Sequence, residues 1–359
     1  MFAKGNFTLE YLNQISKKRH LDPSIMEKTL FAFGLLDALA RVETPFIFKG
    51  GTSLMLLLQR PMRLSTDIDI LVNPNVDIEP FIKKAATLFP FERSEEDHRK
   101  GSSGIVKKHY QFFYHSIITG KENAVLLDVV FEDNPYKVVF TKEIKCDFFQ
   151  AEGEPTYTRV PSIDSILGDK LTAFAPNTVG IHYLTKRPDN TFLDKKMEVI
   201  KQFFDVATLL GEASDFEAIK VTYETISALE IGYRGLSVSS TECLLDTFHC
   251  AASILSRGKL FSEDYKHLLE GMQRIKGHIF GMKFGAELAC SYACSVMLLA
   301  AGLLTQTNVI QKNIPLQPLI DYPPYEKLNF FVKVDRGAYD RAAFAVRLLK
   351  QYEKDHQPR

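Results

Sequence analysis

Residues 46–58 read FIFKGGTSLMLLL, and residues 65–72 read STDIDILV. The run 46–48 is short and apolar, as in a buried strand, and the run 54–58 is apolar on every side, as in a buried helix. The residues 49–53 between these runs contain two adjacent glycines, which predicts a turn. The first stretch is therefore expected to fold as a strand, a glycine turn and a helix.

The second stretch predicts a strand that carries two carboxylates on one face. Asp67 and Asp69 alternate with isoleucines, so the carboxylates project from one face of the strand and the apolar side chains from the other. Two carboxylates placed in this way can bind one hard cation or bridge two. A pair without further context is more often the solvated face of an edge strand.

The residues around these two stretches predict an α/β first domain, residues 1–160. Asp22 and Pro23 stand where a helix N-cap and a first-turn proline belong, and apolar residues follow at approximately helical spacing. A mixed sheet with flanking helices is expected, because more strands are predicted at 107–114, 124–130 and 136–140.

The rest of the chain, residues 161–359, predicts a mostly helical C-terminal domain. The stretch 176–195 is rich in Asn, Pro, Thr and Gly, which is typical of a functional loop. The apolar stretch 288–304 approaches the length of a membrane span, but its polar residues favour a buried helix. The first four helices of this domain are predicted at 163–174, 197–210, 216–229 and 239–255.

The composition excludes several classes of protein. Lys plus Arg and Asp plus Glu both number 44, so there is no global basic field, and any phosphate-binding surface has to be local. The five cysteines lack the spacing of a zinc site or of a disulfide framework, which favours a reducing compartment. Because the first residues lack a signal-peptide apolar region, a cytoplasmic location without a membrane partner is expected.

The glycine turn and the aspartate strand together indicate phosphoryl transfer. Free N–H groups at the start of the helix would bind a triphosphate, and Thr52 or Ser53 would supply a hydroxyl. Asp128 is the one acid within an apolar, strand-like run and would complete a metal site with the aspartate pair. The order of strand, G-G-T-S, helix and D-x-D is that of a nucleotidyltransferase.

In these motifs the chain resembles the AbiEii/AbiGii family, which has a DNA-polymerase-β-like nucleotidyltransferase core. The resemblance covers roughly residues 20–210. It rests on four motifs, which are KGGTSL at 49–54, RLSTDIDI at 63–70, LGDKLTA at 167–173 and KQFFDV at 201–206.

The resemblance implies a role for each matched residue. Asp67 and Asp69 would be catalytic and would bind Mg²⁺ or Mn²⁺. Lys170 would contact the phosphates of the nucleoside triphosphate, and Asp205 would be required for activity. Because both come from the helical domain, the site is expected between the two domains. The implied nucleotide-binding residues are Lys49, Gly50, Gly51, Thr52, Ser53 and Arg63.

Lys170 and Asp205 also admit structural interpretations. Lys170 borders an apolar helix face, from which a lysine can extend its ammonium to solvent. Asp205 lies among apolar residues and can form a structural ion pair, for which Lys170 is a partner. This region departs from the family pattern in two ways. Gln202 stands where many relatives have an acidic residue, and the stretch 176–195 lengthens the spacing between Lys170 and Asp205.

The basic residues near the motifs fall into separate groups. Arg63 lies within the aspartate motif and is expected to bind phosphate, whereas Arg60 lies outside it and is expected to be surface charge. A further group is interleaved with acids, which favours a solvated loop. Its members are Arg93, Arg99, Lys100, Lys107 and Lys108.

The expected reaction is attack by an acceptor hydroxyl on the α-phosphorus of a nucleoside triphosphate, with pyrophosphate as the leaving group. The resemblance implies an RNA end, such as that of tRNA, as the acceptor. It also implies a toxin that is paired with an antitoxin or acts in phage defence. Two alternatives are nucleotidylation of a protein side chain and a catalytically decayed binding module of the same fold.

Overall fold

A computed structural model describes residues 2–97, 106–187, 189–310 and 313–356. The chain divides into two compact units. The first unit comprises Met1–Ser162 and Gly277–Lys283, and the second comprises Ile163–Lys276 and Phe284–Arg359.

The segment Gly277–Lys283 belongs to the first unit through backbone hydrogen bonds. The N–H of Leu64 donates to the carbonyl of His278 at 2.9 Å. The N–H of Phe280 donates to the carbonyl of Met62 at 3.0 Å. Residues far downstream in the sequence therefore complete the first unit.

A five-stranded sheet forms the centre of the first unit. Its strands are β1 (Ile47–Lys49), β2 (Asp67–Val72), β3 (Arg93–Glu96), β4 (Val106–His115) and β5 (Glu122–Phe131). Their order is β1-β2-β5-β4-β3, and β2 runs parallel to β5 while the other neighbours are antiparallel. The predicted α/β class with a mixed sheet is confirmed.

Four α-helices accompany this sheet: α1 (Leu9–Arg19), α2 (Pro23–Arg41), α3 (Gly50–Leu57) and α4 (Glu79–Ala85). α2 begins as predicted, because the Asp22 carboxylate accepts hydrogen bonds from the N–H groups of the two residues after Pro23. α2 packs on β2 and β5 and buries its apolar side chains there.

α3 begins earlier than the sequence predicts. Residues 49–53 are expected to form a turn, whereas the helix includes Gly50 and runs to Leu57. Gly50 has a φ of 76°, a left-handed conformation that glycine adopts readily, and it connects the end of β1 directly to α3. The predicted turn is therefore the first turn of the helix.

The strand predicted at 136–140 is displaced and has a different partner. The extended segment is β6 (Val139–Glu143), which pairs with the unpredicted β7 (Tyr157–Pro161) in a separate two-stranded sheet. β3 was also not predicted, because its sequence RSEE shows no apolar alternation. The position of β6 and the formation of β3 depend on tertiary contacts, which local sequence propensity does not describe.

The second unit is helical, as predicted. Its α-helices are α5 (Ile163–Ala173), α6 (Lys196–Leu210), α7 (Phe216–Arg234), α8 (Ser240–Leu255), α9 (Ser262–Arg274), α10 (Ala286–Leu304) and α11 (Arg336–Asp355). The helices predicted at 163–174, 197–210, 216–229 and 239–255 correspond to α5, α6, α7 and α8. The stretch between α5 and α6 also contains a small hairpin of β8 (Leu184–Lys186) and β9 (Phe192–Asp194).

The stretch 176–195 is more ordered than the predicted loop. Its first residues are fixed by the Asp246 carboxylate on α8. This carboxylate accepts a hydrogen bond from the N–H of Asn177 at 2.8 Å and another from the Thr178 hydroxyl at 2.9 Å. These partners lie about seventy residues apart in sequence, so spacing alone does not reveal them.

α10 is long and apolar enough to cross a membrane by length and composition, and no other helix within the described ranges is. However, 72% of its most apolar window is buried inside the protein. Burial of this extent is typical of a core helix, which confirms the expected buried helix at 288–304.

Candidate active site

Asp67 and Asp69 project from the same face of β2. The residues between and after them, Ile68 and Ile70, are fully buried on the opposite face, whereas both aspartates are half-buried. β2 lies between β1 and β5, so the aspartate pair is inside the sheet and not on an edge strand. The edge-strand interpretation of this pair is therefore wrong.

Gly50 allows the start of α3 to approach the Asp69 carboxylate. Its φ of 76° is in the left-handed region, which favours glycine. A Cβ atom built on Gly50 would overlap the side chain of Asp69, whose carboxylate occupies that space. The residue type at position 50 thus sets both the backbone path and the position of one carboxylate.

A Gly50→Ala variant should therefore lose activity because Asp69 has to move. Displacement of a reacting group by about 1 Å can cost on the order of a hundredfold in rate. We expect nucleotide transfer, measured with a labelled nucleoside triphosphate, to fall by about this factor or more. The strained φ should also lower the melting temperature.

Gly120→Ala is the matched control for this prediction. Gly120 has a φ of 65°, but no atom lies within 4 Å of the Cβ that alanine would add. This variant carries the same backbone strain without touching a carboxylate, so it should lose stability and keep activity. Equal activity of the two glycine variants would contradict the role assigned to Gly50.

Thr52 and Ser53 are fully buried and use their hydroxyls within the fold. The Thr52 hydroxyl donates to the carbonyl of Asp67 at 2.5 Å, and the Ser53 hydroxyl donates to the carbonyl of Gly50 at 2.8 Å. The sequence predicts that one of these hydroxyls faces a triphosphate, whereas in the structure both donate to backbone carbonyls. The Thr52 hydroxyl joins α3 to the aspartate strand, and the Ser53 hydroxyl forms its bond within α3. Direct contact of either hydroxyl with a nucleotide stays a prediction.

Ser65 orients Asp67 and was not singled out by sequence reasoning. Its hydroxyl donates to Oδ1 of Asp67 at 2.9 Å. Its own backbone is held by Thr29 on α2, whose hydroxyl donates to the Ser65 carbonyl at 3.0 Å. Ser65 lies within the RLSTDIDI motif, two residues before Asp67, and this position could have indicated its role in the sequence.

Arg63 and Lys49 bring positive charge to the same end of the sheet. Arg63 is 7% exposed, and its guanidinium lies 2.8 Å from the position that a Cβ on Gly51 would occupy. Lys49 stands opposite Asp69 in the register of β1 and β2, and residues directly opposite each other project from the same face. Both predicted phosphate ligands therefore lie next to the glycines and the aspartates.

Asp128 lies directly beside Asp69 on the neighbouring parallel strand. The two side chains share a face of the sheet, as the prediction of a third ligand requires. However, Oδ1 of Asp128 is 2.6 Å from Nδ1 of His109, its partner in register on β4. The sequence did not indicate His109, because the pairing of β4 with β5 brings it there.

The aspartate pair fits a magnesium ion. Mg²⁺ prefers hard oxygen ligands and usually takes one or two protein carboxylates, with water and substrate phosphate completing its shell. Asp67 and Asp69 provide such a pair. Over the described residues, no group of three or more His, Cys, Asp or Glu side chains is arranged to hold a metal ion. The role of Asp128 as a third metal ligand stays a prediction.

Lys170 and Asp205 form a buried ion pair within the second unit. The Lys170 ammonium lies 3.2 Å from Oδ2 of Asp205, and the two side chains are 10% and 1% exposed. Lys170 therefore does not extend its ammonium to solvent, and that interpretation is wrong. Gly168, in the same motif, lets α5 approach α7, because an added Cβ would lie 2.6 Å from the carbonyl of Ile219.

Two members of the predicted basic group, Arg93 and Lys108, are held by carboxylates. The guanidinium of Arg93 contacts Glu122 at 2.9 Å, and Lys108 contacts Glu79 at 2.6 Å. Although burial opposes it, hydrogen bonds from Lys108 and Tyr110 keep the pKa of Glu79 below its ordinary value. Arg99 and Lys100, two further members that sequence analysis grouped with them, lie outside the described residues.

Comparison with known proteins gives one family. The family model described as "Nucleotidyl transferase AbiEii toxin, Type IV TA system" matches residues 34–275. No curated protein matches the chain.

Two crystal structures from Helicobacter pylori are similar to the chain. JHP933 has a TM-score of 0.46 and 16% identity, covering 80% of this chain and 96% of that chain. A protein described as a candidate nucleotidyltransferase has a TM-score of 0.44 and 14% identity, covering 79% of this chain and 98% of that chain.

Proposed function

Since the chain belongs to the AbiEii family of nucleotidyl transferase toxins, we propose that it transfers a nucleoside monophosphate from a nucleoside triphosphate to the hydroxyl of an RNA end, such as that of tRNA. The transfer depends on Mg²⁺ or Mn²⁺. The observation that carries this proposal is the arrangement at Gly50, where the first turn of a helix meets the carboxylate of Asp69.

The aspartate strand holds the metal and the triphosphate in this mechanism. Asp67 and Asp69 supply carboxylate oxygens, and the Ser65 hydroxyl keeps Asp67 in one orientation. When bound, the divalent ion stabilises the charge on the phosphoryl group and on the leaving pyrophosphate. Asp128, beside Asp69 in the sheet, is proposed as a further ligand.

Basic residues bind the phosphates. The first turn of α3 presents backbone N–H groups at its positive end, which favours phosphate oxygens. Arg63 and Lys49 lie at this same end, next to Gly51 and opposite Asp69 respectively. They therefore bind the triphosphate and leave its α-phosphorus open to the acceptor hydroxyl.

Lys170 and Asp205 complete the active site in this proposal. Lys170 contacts the phosphates of the bound nucleotide, and Asp205 orients Lys170. Their ion pair supports this assignment, because the contact with a buried carboxylate holds the Lys170 ammonium in one direction. The family resemblance of both motifs is the second support.

Membership of a Type IV toxin–antitoxin family implies a cognate antitoxin and a nucleoside triphosphate substrate. We place the reaction in the cytoplasm, where tRNA and nucleoside triphosphates are abundant. An RNA acceptor suits an enzyme whose products would block translation and so act as a toxin.

The full chain should be incubated with each α-labelled nucleoside triphosphate, total RNA and Mg²⁺. We expect label to enter the RNA from one preferred nucleotide and to be lost when EDTA removes the metal. Label that enters protein in place of RNA would overturn the RNA acceptor and favour protein nucleotidylation. Absence of all transfer with Mg²⁺ and with Mn²⁺ would overturn the proposed activity.

A further inference from the structure

A large cavity lies within the first unit, at the C-terminal end of α3. Its volume is about 840 Å³, which is within the range of sites that enclose a ligand. Four segments that are distant in the sequence form its wall. These are residues 18–20 at the end of α1, 55–62 at and after the end of α3, 142–148 around β6, and 280–282.

The wall of this cavity is strongly basic, although the whole chain has no net charge. Its acidic residues are Glu143 and Asp147. Concentration of positive charge in a concave surface attracts polyanions. The cationic residues are Lys18, Arg19, Arg60, Lys142 and Lys145.

Most of these cations have no carboxylate partner among the described residues. Across the part of the chain that the structure describes, none of the four cations at positions 18, 60, 142 and 145 forms an ion pair. Arg19 lies over the ring of Phe148, 5.5 Å from its centroid. The charges are therefore placed to meet an external anion.

Aromatic rings accompany the charges. Phe148 and Phe280 both line the cavity and contact each other edge to face, with centroids 5.1 Å apart. Phe280 is only partly buried, so one ring remains accessible. Aromatic rings beside basic residues are typical of surfaces that bind single-stranded nucleic acid, because bases stack on the rings while the phosphates meet the cations.

The cavity also lies at a suitable distance from the aspartates. Residues 55–58 line it, whereas Gly50 at the other end of α3 meets Asp69. With a rise of 1.5 Å per residue, these ends are about 12 Å apart. A stacked strand rises about 3.4 Å per nucleotide, so about three or four nucleotides span this distance.

We propose that this cavity binds the single-stranded 3′ region of the RNA acceptor, a few nucleotides before the hydroxyl that reacts. The inference rests on the proposed function for the identity of the acceptor. The basic side chains hold the phosphates, and Phe280 stacks with a base. Arg60, which sequence analysis interprets as plain surface charge, thereby becomes an RNA ligand.

The test measures binding separately from catalysis. Fluorescence anisotropy with a labelled single-stranded RNA of about 12 nucleotides, without nucleoside triphosphate, reports the affinity of the full chain. In Arg60→Glu/Lys145→Glu we expect the affinity to fall at least about tenfold, and the slope of log K against log salt to become shallower by about 1.4, since each lost phosphate contact removes about 0.7.

Two further variants make the result specific. Lys28→Glu/Lys121→Glu changes the net charge equally at exposed positions of the first unit outside the cavity and should bind like the wild type. Phe280→Leu should weaken binding by about tenfold through lost stacking and keep the wild-type salt slope. Thermal melts confirm that each variant is folded.

The outcomes separate this inference from the proposed function. If the cavity variants bind RNA as tightly as the control variant, the inference is overturned, whether or not the enzyme transfers nucleotide. If they lose binding while the wild type shows no transfer, the cavity is an RNA site and the proposed activity fails. If the wild type transfers nucleotide to RNA, the Arg60→Glu/Lys145→Glu variant should raise KM for RNA and leave KM for the triphosphate unchanged.

Discussion

Asparagine at position 67 or 69 should abolish nucleotide transfer and leave the fold intact. An amide keeps the size of the carboxylate but loses the negative charge that holds a divalent ion. Loss of metal-centred charge stabilisation should cost several kcal/mol in the barrier, on the order of a thousandfold in rate or more. Asp67→Asn also keeps an oxygen that can accept the Ser65 hydrogen bond.

Stability should be unchanged or slightly higher in these variants. Asp69 lies beside Asp128 in the sheet, so removing one negative charge relieves repulsion when metal is absent. Asp133→Asn is the matched control, because Asp133 is an exposed carboxylate just after β5. Transfer assays and thermal melts on all three variants test the prediction. Undiminished transfer by folded Asp67→Asn or Asp69→Asn would contradict the mechanism.

The ion pair of Lys170 and Asp205 should contribute to stability and activity separately. In Lys170→Met, the Asp205 carboxylate remains at a position that is 1% exposed, but without the ammonium that it contacts. Breaking a buried ion pair in this way usually destabilises a protein by about 3–5 kcal/mol. Transfer should also be lost, because the variant lacks the ammonium that we propose contacts the nucleotide.

The double variant Lys170→Met/Asp205→Leu separates the two effects. Replacing both charges by apolar side chains of similar size is often neutral for stability, so its free energy of unfolding should return close to the wild-type value. Its transfer activity should not return. Recovery of transfer in the double variant would show that the pair is only structural, and chemical denaturation beside the transfer assay distinguishes these results.

The features that the sequence predicts well depend on residues close together in the chain. The alternation at Asp67 and Asp69 predicts both the strand β2 and the shared face of the carboxylates. Asp22 and Pro23 predict the start of α2 for the same reason, since a helix cap is a local interaction.

The features that were missed depend on contacts between distant residues. His109 meets Asp128 only because β4 pairs with β5. The hydroxyls of Thr52 and Ser53 look like phosphate ligands in a G-G-T-S motif, but the early start of α3 turns them toward backbone carbonyls. The basic cavity is formed by four segments that are distant in the sequence, so the sequence does not show that Arg60 lies near the other basic residues of the cavity.

The central claim, transfer of a nucleoside monophosphate through the aspartate pair, is tested most directly by the position of the label in the triphosphate. The wild-type chain should be incubated with RNA, Mg²⁺ and the preferred nucleotide, labelled at either the α- or the γ-phosphate. We expect the α label to appear in RNA and the γ label in pyrophosphate, with neither result in Asp69→Asn. Appearance of the γ label in the acceptor, or equal transfer by Asp69→Asn, would contradict this account.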